Sequence, residues 1–275
     1  MTDFGTKVLI AVPNLRSEMH GKLSEHFKKL LKPNELILLS VGDEPDEQNE
    51  RLQRALEQDE PTAMVAVSVR PEAATISAYS SNKVPIVLVD EEVPGVSVIT
   101  TDNYRGGYIV GEYLAEQGRK EIAIVAGRMK VRGGYNAEQR VKGCQDALLE
   151  RGISVPPGRI MEVAHYSRDD GLEVMPQLMG TGIDAVFCAA GDNCAVGLLA
   201  ILRENQIRVP EDIAIVGFDD FNIARMSFPP LTTISQPLEK IADAAHKMVV
   251  YQRDEILSTP QRIMFEPELV VRKST

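Results

Sequence analysis

Short apolar runs rich in valine and isoleucine alternate along this chain with longer segments whose apolar residues recur at helical spacing. That alternation is the signature of βαβ units around a parallel sheet. The runs at 7–12, 35–40, 63–67 and 85–89 read as strands, and a shorter one at 96–99 closes the series. A helix over 104–117 follows, capped by Thr101 or Asp102, whose side-chain oxygens suit an N-cap. A second series then begins, with strands over 121–126, 159–163, 184–189 and 212–217 and helices over 137–151, 168–179 and 193–205. Gly152, Gly180, Gly182 and the Val209-Pro210 pair provide the stops. Near-continuous apolar strands such as 213–216 imply sheets covered on both faces, so the expectation is an α/β protein of two Rossmann-like lobes.

Length and composition agree with that reading. The 275 residues exceed one typical domain but are short for two independent ones, and 44% apolar with 25% charged is ordinary globular usage. The net charge of -10 offers no basic surface to a phosphate backbone, so this chain by itself is not expected to grip nucleic acid. Cys144, Cys188 and Cys194 lack C-x-x-C spacing, which speaks against a disulfide framework or a zinc site and for small core residues. The longest apolar runs are strand-sized, so no membrane partner is expected, and a reducing cytoplasm is the simplest compartment.

Open parallel sheets bind ligands beyond the carboxyl ends of their strands, and here those ends are polar. The first strand runs into Asn14, Leu15 and Arg16, the third into Ser68, and the fifth into Thr101 and Asp102. In the second series the ends carry Gly127-Arg128, His165-Tyr166, Gly191-Asp192 and Asp219-Asp220. Carboxylates, amides, a guanidinium and an aromatic face suit a polyhydroxylated molecule, because vicinal hydroxyls take bidentate hydrogen bonds and C–H faces stack on rings. Helix caps and turns also collect Asp and Asn, so the set carries more weight than any member.

The chain holds no G-x-S-x-G elbow, H-E-x-x-H, Walker A loop or G-x-G-x-x-G. Gly106-Gly107 and Gly111 fall inside a helical segment, where close helix packing explains them. No catalytic constellation, cofactor loop or metal set emerges, and the chain is expected not to be an enzyme.

Longer stretches narrow this further. Asp184-Ala-Val-Phe-Cys188 leads to Gly191-Asp192; Arg208-Val-Pro-Glu-Asp-Ile-Ala-Ile-Val-Gly-Phe-Asp-Asp220 follows, then Pro229-Pro-Leu-Thr-Thr-Ile234 and the closing Pro267-Glu-Leu-Val-Val-Arg-Lys-Ser-Thr275. With Thr101-Asp102-Asn103, Gly106-Gly107, 122–127, Arg140 and Gly143, the chain closely resembles the effector-binding domain of LacI/GalR-type transcriptional regulators. The resemblance spans essentially the whole sequence.

It implies a type I periplasmic-binding-protein-like fold with three interlobe crossovers, near Gly118, near 232–236 and around 257–260. The lobes would comprise 1–118 with 235–257, and 119–234 with 258–275, the C-terminal helix 238–253 returning to the first lobe. It further implies that a small polar effector, a sugar or sugar derivative, binds in the interlobe cleft. Arg140 and Asp219 would make its strongest polar contacts, Asp102 would touch it from the first lobe, Asn136 falls on the loop before Arg140, and Tyr166 takes the place of a stacking ring. Asn14, Arg16, Ser68, Gly191 and Asp192 complete the candidate set.

Two departures bear on the ligand. Gly191 stands where many sugar-responsive members carry a side-chain amide, and Arg16 with Arg128, Lys130 and Arg132 would suit an anionic effector such as a sugar phosphate. Family members also carry a helix-turn-helix headpiece before the first strand. Operator DNA is therefore expected as a partner only through a headpiece absent from this chain, with the effector acting allosterically on a homodimer joined along both lobes. A stand-alone or periplasmic sugar-binding protein of the same fold is the alternative, the periplasmic form requiring an export signal.

Overall fold

The structure, a computed structural model, describes residues 6–130, 134–254 and 259–275. In chain order the elements are β1 Val8–Val12, α1 Glu18–Leu30, β2 Leu36–Ser40, α2 Pro45–Gln58, β3 Ala63–Val67, α3 Ala73–Ser81, β4 Ile86–Val89, β5 Ser97–Thr101 and α4 Asn103–Glu116. There follow β6 Ile122–Ala126, α5 Tyr135–Leu149, β7 Ile160–Glu162, α6 Arg168–Leu178, β8 Ala185–Cys188, α7 Asp192–Glu204 and β9 Ala214–Asp219. The chain closes with α8 Asn222–Met226, β10 Thr232–Ser235, α9 Leu238–Arg253, β11 Arg262–Phe265 and β12 Glu268–Val270.

Two units result, Met1–Thr101 with Pro237–Phe265 and Asp102–Gln236 with Glu266–Thr275, so the chain passes between them three times. The first holds a six-stranded sheet in the order β11-β5-β4-β3-β1-β2, parallel throughout. The second holds the six-stranded order β12-β10-β9-β8-β6-β7, parallel except for the β10–β12 pair at one edge.

Apart from β2 and β7 at the sheet edges, the apolar runs read from the sequence are inner strands, and a two-residue period that sends side chains to two covered faces explains why each is apolar throughout. In β1, Val8, Ile10 and Val12 pack with Leu23 and Phe27 of α1 and Ile241, Ala245 and Val249 of α9. Its alternate residues Leu9 and Ala11 join Leu52 of α2 and Tyr79 of α3 on the opposite face. The second sheet repeats the arrangement: Ile122, Ile124 and Ala126 meet Val110, Leu114, Val141 and Leu148 from α4 and α5. Ala123 and Val125 meet Val174 and Leu198 from α6 and α7. The three cysteines are buried free thiols in these cores.

The unit boundaries lie elsewhere than the sequence reading put them. The helix α4, expected in the first lobe, belongs to the second unit, because glycines let its backbone touch that of α5. A Cβ on Gly107 would lie 1.9 Å from the Arg140 carbonyl oxygen, one on Gly111 2.6 Å from that of Cys144, and one on Gly143 2.0 Å from that of Tyr104. Gly171 and Gly197 meet the same way in the α6–α7 pair. At the other end the first unit extends through β11, which pairs with β5, and Ser97 Oγ accepts from the Gln252 side chain at 2.5 Å and from Gln261 N at 3.0 Å. Part of the crossover expected around 257–260 lies outside the described residues. The strands β10, β11 and β12 have no counterpart among the strands expected from the sequence.

These contacts set opposite signs for two glycine substitutions. Gly107→Ala is expected to lower the unfolding free energy by about 2 kcal/mol or more, because a backbone carbonyl must move. Gly21→Ala in α1, whose added methyl would meet nothing within 4 Å, is expected to raise it by up to about 1 kcal/mol. Urea denaturation of both variants reads the two signs.

Candidate functional site

In a parallel sheet every strand delivers its carboxyl end to the same edge, and in the second unit that edge gathers the charged candidates. Arg140, in the second turn of α5, sets its guanidinium over the Phe218 ring of β9, with Cζ 3.7 Å from the ring centroid. Its Nε donates to Asn103 Oδ1 at 2.7 Å and one Nη to the Ala189 carbonyl at 3.0 Å. Three elements, the start of α4, the end of β8 and β9, thus fix one cation, which ring stacking and two charge-assisted bonds hold as a plane. Asn136 is half-buried one turn earlier on the same face of α5.

Asp219 ends β9 with φ at 107° and Asp220 follows at 51°, so two consecutive non-glycine residues take left-handed backbone. Such strain persists only where surroundings hold it. Gln236 Nε2 donates to Asp219 Oδ1 at 2.7 Å. Asp220 is gripped by Arg272 at 2.5 Å and Arg225 at 3.2 Å. Beneath them lies Asp192, fully buried at the start of α7. It accepts from Phe221 N at 2.7 Å through Oδ2 and from the Thr233 hydroxyl at 2.6 Å through Oδ1. Asp192 therefore pins the backbone just after the strained pair and shows no surface to a ligand. Burial pushes its carboxyl well above the ordinary carboxylate range, and the nearby Asp219 charge pushes the same way.

Gly191 takes φ 110° and ψ 171°, a region that side chains avoid, and a Cβ there would lie 2.8 Å from Asp219 Oδ2. The missing amide noted in the sequence is thus tied to the position of Asp219. Asp102 caps α4, its Oδ1 accepting from Arg105 N at 2.8 Å, and it belongs to the second unit, not the first. Tyr166, with φ 57°, lays its ring against Gly127, whose added Cβ would come within 2.0 Å of it. Its hydroxyl accepts from Arg128 N at 3.1 Å, and the Arg128 guanidinium stands 5.9 Å from the ring centre. Arg132 lies outside the described residues, and Lys130 is exposed.

The first unit has its own polar edge. Asn14 Oδ1 accepts from Arg16 N and Ser17 N at 3.2 and 3.0 Å, organising the entry to α1, and its amide donates to Asp43 at 3.3 Å. Buried His20 bonds the Asn14 carbonyl at 2.8 Å, and burial lowers its pKa. Arg16 is exposed. Ser68 follows β3 with φ 52° and Asp90 follows β4 with φ 66°. Asp90, Asn103, Phe218 and Gln236 are not among the site candidates that the sequence offers. A polar residue directly after an apolar run was the available signal for Asp90.

Among the described residues no group of three or more His, Cys, Asp or Glu could hold a metal ion. A carboxyl that burial makes hold its proton to higher pH folded than unfolded makes stability fall as pH rises above the ordinary carboxylate range. In Asp192→Asn the amide oxygen still accepts from Phe221 N and the amide donates to Thr233. The variant is therefore expected to gain on the parent as pH rises from about 4 towards neutrality. Urea unfolding across that window checks it, and a variant that loses ground to the parent as pH rises would contradict the assignment.

Residues 112–275, more than half of the chain, match the family model described as the periplasmic binding protein-like domain. The HTH-type transcriptional repressor PurR of Klebsiella pneumoniae (strain 342) is 32% identical over 248 residues, 87% of this chain and 70% of that protein. The HTH-type transcriptional regulator DegA of Bacillus subtilis (strain 168) is 25% identical over 276 residues, 98% of this chain and 80% of that protein. Among solved structures, the transcriptional regulator CelR–cellobiose complex matches with a TM-score of 0.84 and 26% identity, covering 98% of this chain and 86% of that one. With this fold, these relatives and these strand ends, the chain belongs to the periplasmic-binding-protein-like family, as an effector-binding domain of the LacI type.

Proposed function

We propose that this chain senses a small polyhydroxylated molecule, a sugar or sugar derivative, for a LacI-type transcriptional regulator. The observation that carries the reading is Arg140, a cation fixed by Asn103, Ala189 and Phe218 at the edge where Asp219 is also held in a strained conformation. A rigid donor plane and a rigid acceptor together suit hydroxyl groups, which give and take hydrogen bonds at once. Asp102, Asn136 and Tyr166 are further contact candidates on this unit, and Asn14, Arg16 and Ser68 are the candidates on the first. The similar CelR structure is a complex with cellobiose, which supports a sugar. In the whole regulator the effector biases a headpiece between operator-competent and incompetent states, so that effector and operator affinities are coupled reciprocally. No catalytic step enters this reading. The compartment is the cytoplasm, where operator DNA lies; among the described residues no helix is long and apolar enough to cross a membrane.

The working form is a homodimer. Met226 and Phe228, on and just after α8, are 80% and 79% exposed, and β2 at the edge of the first sheet keeps its apolar residues Leu36, Ile37, Leu38 and Leu39 only half-buried. Exposed apolar groups of this size on separate units suit burial against a second copy.

A thermal-shift screen with neutral sugars, cellobiose among them, sugar phosphates, nucleobases and small carboxylates tests the ligand class. A ligand at about a hundredfold excess over Kd adds about 2.7 kcal/mol of stability. The expected result is a neutral-sugar hit lost in Arg140→Ala and in Asp219→Ala; a hit indifferent to both would remove the site. For the dimer, sedimentation velocity of the parent and of Met226→Glu/Phe228→Glu should show two copies becoming one with the far-UV spectrum unchanged. A parent that sediments as a monomer would overturn it.

A further inference from the structure

We propose that Asn103 is a positioning residue for the effector site: its side-chain oxygen fixes the plane in which Arg140 presents its guanidinium. This deepens the reading of Arg140 as a ligand contact and rests on it. An arginine side chain has several rotatable bonds and loses much freedom when ordered, so its orientation must be imposed from outside. Stacking on Phe218 at 3.7 Å sets the height of the guanidinium but leaves it free to turn in its own plane. The Ala189 carbonyl, 3.0 Å from one Nη, restrains that turn at one corner. The Asn103 oxygen, 2.7 Å from Nε, supplies the second point that stops it. The remaining edge of the guanidinium is then presented in one direction, as bidentate recognition requires.

Asn103 can do this because it cannot move. It is buried at the first position of α4, Asp102 caps that helix, and the backbone contacts of Gly107 and Gly143 lock α4 on α5, which carries Arg140. An asparagine also serves where an aspartate would not. It accepts the Nε–H without neutralising the cation, so the charge of Arg140 stays available.

The test reads Arg140 directly and needs no ligand. In the ¹⁵N-labelled chain, the arginine Nε–H resonance that disappears in Arg140→Lys is the probe. In the parent it should show the order of a rigid group and slow exchange with water. In Asn103→Ala the same resonance should become mobile and exchange about tenfold faster or more, the factor that goes with losing one charge-assisted bond. In Asn103→Asp, which keeps the acceptor, it should stay ordered. Thermal melts separate this from general loosening, because Asp102→Ala, which removes the α4 cap but not the Asn103 oxygen, should lower the melting temperature and leave the Arg140 signal ordered. An Arg140 resonance unchanged in Asn103→Ala overturns the proposal. So does one that loosens equally in Asp102→Ala. Either result leaves the ligand screen standing on its own.

Discussion

Contact between the backbones of α4 and α5 is the constraint on which the second unit's site depends. Two helices come so near only where side chains are absent, and Gly107, Gly111 and Gly143 clear that path at successive turns. Their registry decides which residues face each other at the carboxyl edge of the sheet. It sets Asn103 against Arg140, and Arg140 against Phe218 of the central strand. A seam without a functional group thus sets the geometry of the groups that have one. Gly171 and Gly197 give α6 and α7 the same intimacy on the opposite face, leaving the sheet between two rigid pairs.

Against that rigidity, the end of β9 is built at a cost. Two aspartates in left-handed backbone, and a carboxyl buried below them, all oppose folding. The opposing terms are offset locally, by Phe221 N and Thr233 on Asp192, by Gln236 on Asp219, and by two arginines on Asp220. A carboxylate held by Gln236 on a turn braced at both neighbouring aspartates reorganises little when a ligand arrives, so less of the binding energy goes into ordering it.

Much of this was legible in the residues. The strands with both faces buried, the polar strand ends and the helical setting of Gly106, Gly107 and Gly111 follow from periodicity and turn chemistry. Other features depend on distance in sequence and do not show locally. Asp192 looks from its position like a ligand contact, and only Thr233 and Phe221, far along the chain, reveal it as a buried clamp. Asn103 sits in an ordinary capping stretch, and its meaning lies in a guanidinium 37 residues away. The glycines announced a close helix contact without naming the partner, so α4 was assigned to the wrong unit. A glycine such as Gly191 carries no sign of the φ it will take.

The order of the strands in the first sheet has a consequence for how the chain comes to be folded. One face of β1 is covered by α9, and β5 is flanked by β11, both drawn from the far end of the sequence. The second unit has all but one of its strands within a single continuous stretch. During synthesis, then, β1 to β5 must wait with an apolar face uncovered until α9 and β11 have emerged, while the stretch between them can already collapse around its own core. Of the two units, the one begun earlier is closed later, and its uncovered valines and isoleucines are where a chaperone or a competing aggregate would find it.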